Sequence, residues 1–413
     1  MSKTFCPLPW IHLGTHPQGG VTPCCVSDHS HGQNRARNFT DIGEQFLTLN
    51  DSTITEHMNS DYFKKLRLQF LNGEIPRACR RCFEEEENGI HSKRITESFN
   101  FPDATFEKAS SVTEEDGAIP IDLKFVELRL GNVCNLKCIT CNPASSSRWM
   151  PDYKKVVEKI NIVDKTYLNI DQDKDFNWAE DEQFYEDLYN SAPNMEVLYI
   201  NGGEPTLIES HWNYVRKLVE SGRSKDIIIW YNINMTTLPD FAIDLWKEFK
   251  EARIHPSIDC LEERNSYIRF PSKWDTITKN LEKLLEADLN VRITQTVSAY
   301  NYFYIPEFFR WAPCNADVNH VYDPSYLSPA VLPPYVRDIV HGKIKNSFDI
   351  PGDYCVLEDT FASVPWDENG WKQFCMYNDE MDKIRNTDWR KTFRKLINIL
   401  EINNTQHRFN PDE

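Results

Sequence analysis

Phe125-Val-Glu-Leu-Arg-Leu-Gly-Asn-Val-Cys134-Asn-Leu-Lys-Cys138-Ile-Thr-Cys141 is the stretch from which the fold of this chain is read. Four of its first six residues are apolar, and the run reads as a strand, which runs straight into a loop with cysteines at C-x3-C-x2-C spacing. Three thiolates on one tight loop can bind three corners of a four-iron cluster and leave the fourth iron open for a substrate or cofactor. The alternative is a three-cysteine zinc site completed by a distant histidine.

Outward from this strand, apolar runs recur at 197–200, 227–231, 254–258, 291–297 and 318–322, the last five starting roughly 27 to 37 residues apart. That interval fits one strand plus one helix, and His211–Val219 and Trp274–Leu285 between the runs carry helical periodicity. Repeating βα units predict an α/β chain with a parallel sheet, as a partial (β/α)6 barrel over 123–330 whose chemistry sits at the C-terminal strand ends. An acidic, aromatic insertion at 163–189 reads as a surface excursion, and 331–413 as a loop and helix extension. Before the barrel, residues 102–122 hold two prolines and a Glu-Glu-Asp-Gly run, which suits an exposed linker after a first domain at 1–101.

Length and charge narrow the function. The chain has 413 residues, 40% of them hydrophobic, and a net charge of −17, so it can bury a core and repels a phosphate backbone. The start lacks a signal or transit pattern and no apolar segment is long enough to span a bilayer, which predicts a cytoplasmic protein without membrane contact. In a reducing compartment the twelve cysteines point to metal or redox chemistry, not disulfides.

A second cysteine group lies in the first domain: Cys6, Cys24-Cys25, and Cys79 with Cys82 as a C-x2-C pair. Four thiolates there make a complete ligand set for one four-iron cluster or one zinc. Arg77, Arg80 and Arg81 around the pair are expected to favour the thiolate form. His12, His16, His29 and His31 read as loop polarity, Glu84–Glu87 as a solvated helix face, and Cys314, Cys355 and Cys375 as small core residues.

The loop 134–141 resembles the cluster loop of the radical S-adenosylmethionine superfamily, and residues 123 to about 325 resemble its partial barrel. Asn201-Gly202-Gly203-Glu204-Pro205 after the second strand resembles the family's glycine-glycine-glutamate turn, whose main chain holds the cofactor's amino group. Asn234, Ser257 and Arg269 match softer cofactor-contacting positions on later strands. Thr140 departs from the aromatic residue often found before the third cysteine, so adenine packing must come from elsewhere. The N-terminal cysteines resemble the auxiliary-cluster domain called twitch, related to SPASM, although in relatives that domain usually follows the barrel. The Gly-x-x-Pro-Cys pattern singles out Cys24 over Cys25 as its ligand.

The resemblance implies a [4Fe-4S] cluster at Cys134, Cys138 and Cys141, an auxiliary [4Fe-4S] cluster at Cys6, Cys24, Cys79 and Cys82, and S-adenosyl-L-methionine as cofactor. It implies cleavage of that cofactor to a 5′-deoxyadenosyl radical, which takes a hydrogen atom from a small-molecule or peptide substrate for oxidation or bond formation. An electron donor such as flavodoxin or ferredoxin is the expected partner, with nucleic acid not expected. Within this class a radical epimerase would use Cys260, at the end of a strand, as hydrogen donor. The reading from another class is a zinc-binding, non-catalytic interaction protein.

Overall fold

The computed structural model describes residues 3–27, 34–41, 43–171, 174–346 and 365–407. They form two compact units, Met1–Val133 with Ile170–Tyr231 and Pro239–Ala252, and Cys134–Asn169 with Asn232–Leu238 and Arg253–Glu413.

In the first unit the strands are β1 (His12–Thr15), β2 (Val21–Thr22), β3 (Arg37–Thr40), β4 (Gly43–Phe46), β5 (Phe125–Arg129), β6 (Val197–Asn201) and β7 (Ile228–Ile233). β3 and β4 form a separate antiparallel hairpin, and the others lie side by side in the order β2-β1-β5-β6-β7. β5, β6 and β7 are parallel, as the βα spacing requires. β1 is also parallel to β5, with Leu13 opposite Val126, so the N-terminal segment extends the sheet that it was expected only to precede.

Alternation along β6 and β7 gives this sheet two different faces. Leu198, Ile200, Ile229 and Tyr231 are fully buried, whereas Val197, Tyr199, Ile228 and Trp230 are half-buried. The buried side is covered by helices such as Glu209–Glu220, which turns His211, Trp212, Tyr214, Val215 and Leu218 inward. Trp212 stacks on Tyr231 at 5.6 Å, and Trp246 lies 5.2 Å from the same ring. At roughly 1.5–3 kcal/mol for each large apolar side chain buried, this aromatic layer is a main anchor of the unit.

Residues 102–122 are exposed over much of their length but are seated on the unit. They carry a helix, Phe106–Val112, and bury Ala109 and Ile119. Trp10 Nε1 donates to Thr113 Oγ1 at 2.8 Å, and the buried Arg67 Nε donates to the Gly117 carbonyl at 2.8 Å. The segment's polarity hid this, because a few well-spaced apolar residues suffice to seat a short helix. The 163–189 excursion is likewise partly internal: Trp178 is 1% exposed and donates to the Pro17 carbonyl at 2.8 Å.

Two histidines of this unit are folded in the neutral form. Burial lowers His57 to about 4 and His211 to about 3, from an ordinary 6.5. The unfolded chain therefore binds more protons in acid, so their contribution is complete above about pH 6.5 and is lost as pH falls toward 4. Thermal midpoints measured from pH 7 to 4.5 are expected to fall steadily, beginning above the range where ordinary carboxylates titrate. A flat profile over that interval would contradict the neutral burial of these rings.

The second unit holds β8 (Glu251–Pro256), β9 (Asn290–Val291), β10 (Ile293–Val297) and β11 (Ala316–His320). β8 and β9 are parallel, as are β10 and β11, and a bridge from Ser257 to Thr294 joins the end of β8 to β10. Within neither unit do the strands close into a ring. The pairing therefore gives an α/β fold with an open parallel sheet.

The C-terminal extension is more helical than its sequence suggests, with helices Pro334–Lys345, Glu368–Arg385, Trp389–Thr392 and Arg394–His407. Asp367 caps the second through the Gly370 N–H at 2.8 Å, and Phe374, Tyr377, Asn378 and Met381 form its buried stripe. Polar residues around that stripe masked its periodicity. Among the described residues no helix is long and apolar enough to cross a membrane.

Candidate metal centres

Cys134, Cys138 and Cys141 lie together on the loop that opens the second unit, each half-buried. Burial raises the Cys141 thiol, and the neighbouring Cys138 and Cys134 raise it further. Cys138 and Cys141, both raised by burial, are poor thiolates by themselves, so this donor set fits a cationic body that would draw off their protons.

Several elements brace the loop. Lys137 N–H donates to the Phe270 carbonyl and Ile139 N–H to the Ile268 carbonyl, each at 2.7 Å. Trp149 Nε1 donates to the Cys138 carbonyl at 2.7 Å. Asp152 accepts from Lys137 at 2.8 Å and from Arg385 at 2.9 Å, and the Arg385 guanidinium lies 4.6 Å from the Trp149 ring centroid. A residue of the C-terminal extension thus supports the cysteine loop, which no local motif signals.

Of the softer candidates, Asn234 and Arg269 come to this loop. The Asn234 amide donates to Asn135 Oδ1 at 2.9 Å and reaches Cys134 Sγ at 3.9 Å, while its oxygen accepts from the Thr236 N–H at 2.9 Å. Arg269 donates to Asp259 at 3.0 Å. Although burial disfavours its charge, Cys138, Asp259 and Cys134 together hold it firmly protonated. Ser257 is half-buried at the bridge to β10, its N–H bonded to the Ile233 carbonyl at 2.8 Å.

Cys260 is not brought to the thiols. It is 1% exposed, and burial pushes its thiol up to about 12 with Arg264 and Glu307 as its charged neighbours. Asp259 and Cys260 lie just past the end of β8, and it is Asp259 that makes the contact with Arg269. A cavity of about 400 Å³ borders the loop at Thr140 and Cys141, walled by Trp149, Tyr153, Tyr326 and Tyr377.

The Gly202-Gly203 turn belongs to the first unit, at the end of β6. Both glycines have positive φ, at 82° and 52°. A Cβ on Gly202 would stand 2.7 Å from the Arg129 backbone, and one on Gly203 2.4 Å from the Val133 carbonyl oxygen. The Glu204 N–H donates to that same carbonyl at 2.7 Å, and its side chain accepts from Thr206 Oγ1 at 2.7 Å. Gly203→Ala is expected to cost at least about 2 kcal/mol, combining left-handed strain with the backbone overlap. An unchanged thermal midpoint would refute this packing.

Also in the first unit, Cys6, Cys24, Cys79 and Cys82 gather from three separate stretches of chain. Burial raises Cys79 well above its ordinary value, and Cys24, Cys6 and Cys82 add to the rise. Burial likewise raises Cys24, with Cys6 next, and pushes Cys6 up to about 12, with Cys82 contributing. Four thiols within electrostatic reach suit a shared cationic centre. Among the described residues, however, no three His, Cys, Asp or Glu side chains are grouped as a single metal ion would hold them.

Cys25 keeps different company. Burial raises its thiol, and the charges that act on it are Glu127, Lys93 and Arg129. The three arginines of the Cys79 segment are exposed, and the groups acting on Cys79 after burial are thiols, so a thiolate-stabilising role for Arg77, Arg80 and Arg81 is not what the packing provides. His12 is not loop surface either: it is fully buried, with Nδ1 2.8 Å from the Pro23 carbonyl. Cys314 and Cys375 are half-buried, while His29, His31 and Cys355 lie outside the described residues.

One polar group escaped the sequence argument. The register puts Glu127, Tyr199 and Trp230 in one row across β5, β6 and β7, and Tyr199 and Trp230 stack at 4.6 Å. Glu127 is 3% exposed and lies 3.8 Å from both His12 and Arg129. Lys93 pairs with Glu97 at 3.0 Å and faces Cys25 and Glu127. The signal was available: charged residues at 127 and 129 alternate with apolar ones in a strand that a parallel sheet buries on both faces, and such charges require a purpose.

Comparison with known proteins adds to this geometry. Residues 6–83 match the SPASM family, an iron-sulfur cluster-binding domain. No curated protein matches the chain. Among solved structures it is similar to native anSMEcpe with bound AdoMet, at 19% identity and a TM-score of 0.37, over 54% of this chain and 58% of that one. A form of the same protein with bound AdoMet and Kp18Cys peptide matches at 18% identity and a TM-score of 0.35, over 54% and 57%. Streptococcus suis SuiB bound to precursor peptide SuiA matches at 14% identity and a TM-score of 0.33, over 86% of this chain and 70% of that one. The chain thus spans little more than half the length of anSMEcpe, and overlap at this level leaves reaction and substrate to the residues themselves.

Proposed function

We propose that the chain is a radical S-adenosylmethionine enzyme, with the partial (β/α)6 barrel over 123–330 following an auxiliary iron-sulfur domain in 1–101. The observation that carries this reading is the loop of three braced thiols, Cys134, Cys138 and Cys141, to which Asn234 and the Arg269–Asp259 pair are attached. Three thiols suit a four-iron cluster whose remaining iron is free to take the cofactor. When bound, the cluster and cofactor supply reductive cleavage to a 5′-deoxyadenosyl radical.

The chain's own residues bind and orient. The Arg269 guanidinium, held by Asp259 beside the thiols, would attract a cofactor carboxylate, and Asn234 fixes the loop beside Cys134. The aromatic walls of the cavity at Thr140 and Cys141 can stack a purine ring, the packing that Thr140 itself does not offer. The substrate, a peptide or a small molecule, loses a hydrogen atom and goes on to oxidation or bond formation.

For the auxiliary site the reading takes Cys6, Cys24, Cys79 and Cys82 as ligands, supported by their mutual influence and by the Glu127 and Arg129 that act on Cys25. Iron and sulfide analysis of anaerobically reconstituted protein tests the whole: about eight irons per chain are expected, four per cluster. Stoichiometric zinc without iron would replace this reading by a structural zinc protein. Cys79→Ala with Cys82→Ala is expected to remove about half of the iron, and Cys25→Ala to leave it intact. Equal losses from both variants would misplace the auxiliary ligands.

A further inference from the structure

The segment 77–81 concentrates positive charge in a chain of net charge −17. Arg77, Arg80 and Arg81 are all exposed. Arg81 donates to Glu85 at 2.8 Å, while Arg77 and Arg80 have no carboxylate partner among the described residues. Exposed pairs of this kind add at most about 1 kcal/mol to a fold, so stability does not account for the concentration. The three arginines line one wall of an open cavity of about 560 Å³ that runs to Cys25–Ser27, with Glu84 as its carboxylate. Of the four auxiliary thiols, Cys6, Cys24 and Cys82 are buried, and the half-buried one is Cys79, flanked by these arginines.

We propose that the Arg77–Arg80–Arg81 surface docks a small acidic protein that carries one electron, placing it against the auxiliary site on its most accessible side. The proposal rests on the auxiliary-cluster reading of Cys79 and its partners. The exchange it serves moves one electron, lost by one protein and gained by the other, with no bond made or broken. A small anion is less well suited, because the cavity is open and all three arginines are exposed, whereas a protein face carrying several carboxylates can meet more than one of them at once. The rest of the chain repels an acidic partner, so attraction at this patch also sets orientation.

The test is binding of an acidic flavodoxin to the reconstituted full chain, measured at about 50 and 500 mM salt, where screening changes severalfold. The parent is expected to bind more tightly at low salt. Arg77→Glu with Arg80→Glu and Arg81→Glu should weaken binding at low salt at least about tenfold and reverse the salt trend, since only repulsion then remains. A control with Lys247→Glu, Lys250→Glu and Lys279→Glu, exposed lysines elsewhere, carries the same net charge and should bind like the parent. Parent-like binding by the arginine variant, or equal losses in variant and control, would overturn the proposal. Iron content and dithionite-driven cofactor cleavage of the same samples report on the proposed function separately. Their failure in the parent would count against that function while the binding measurement still decides the docking surface.

Discussion

Replacing any one of Cys134, Cys138 and Cys141 by alanine is expected to abolish 5′-deoxyadenosine formation under reducing, anaerobic conditions. A four-iron cluster on three protein ligands already has one open corner, and losing a second thiolate leaves it labile. The loop's main supports should survive the change, since they run through backbone carbonyls and the Lys137–Asp152–Arg385 arrangement, and only weak contacts such as Leu136 N–H to Cys134 Sγ are lost with the sulfurs. The variants should therefore fold, keep about half of the iron at the auxiliary site, and lose all cofactor cleavage. Cleavage by a variant lacking all three thiols would end the radical reading.

The second large effect is on stability, at Asp259. Its carboxylate is fully buried, pairs with Arg269 at 3.0 Å and accepts from the Thr296 N–H at 2.8 Å. Removing one member of a buried pair strands the other charge, at a cost of about 3–5 kcal/mol. Asp259→Ala should show that full loss in iron-free protein, and Asp259→Asn a smaller one, because the amide can still accept the Thr296 N–H. Arg269 also faces Cys138 and Cys134, so cysteinates bound to iron offer it a replacement partner. Thermal midpoints should accordingly fall less in the reconstituted than in the iron-free variants. Equal shifts in the two forms would separate Arg269 from the cluster site.

What the sequence by itself determined are features with short-range signatures. Strand-forming runs at a βα interval made the sheet parallel, the C-x3-C-x2-C spacing put three thiols on one loop, and Gly202-Gly203 marked a turn where backbone approaches backbone. Each depends on residues within a few positions of one another, so periodicity and spacing suffice to reveal it.

Only the tertiary structure decided the rest, because those contacts join residues far apart in the chain. β1 pairs with β5 across more than one hundred residues, which joins the N-terminal segment to the parallel sheet. Asp152 and Arg385, 233 positions apart, brace the cysteine loop from an extension that read as loop and helix. Cys24 and Cys25 are neighbours with the same side chain and both feel Lys93, yet Cys24 also meets the Cys6 thiol while Cys25 meets Glu127 and Arg129. Asp259 and Cys260 divide in the same way, one toward Arg269 and the other toward Arg264. In both pairs the backbone sends adjacent side chains in different directions, and what each one meets is set by which distant segments pack there.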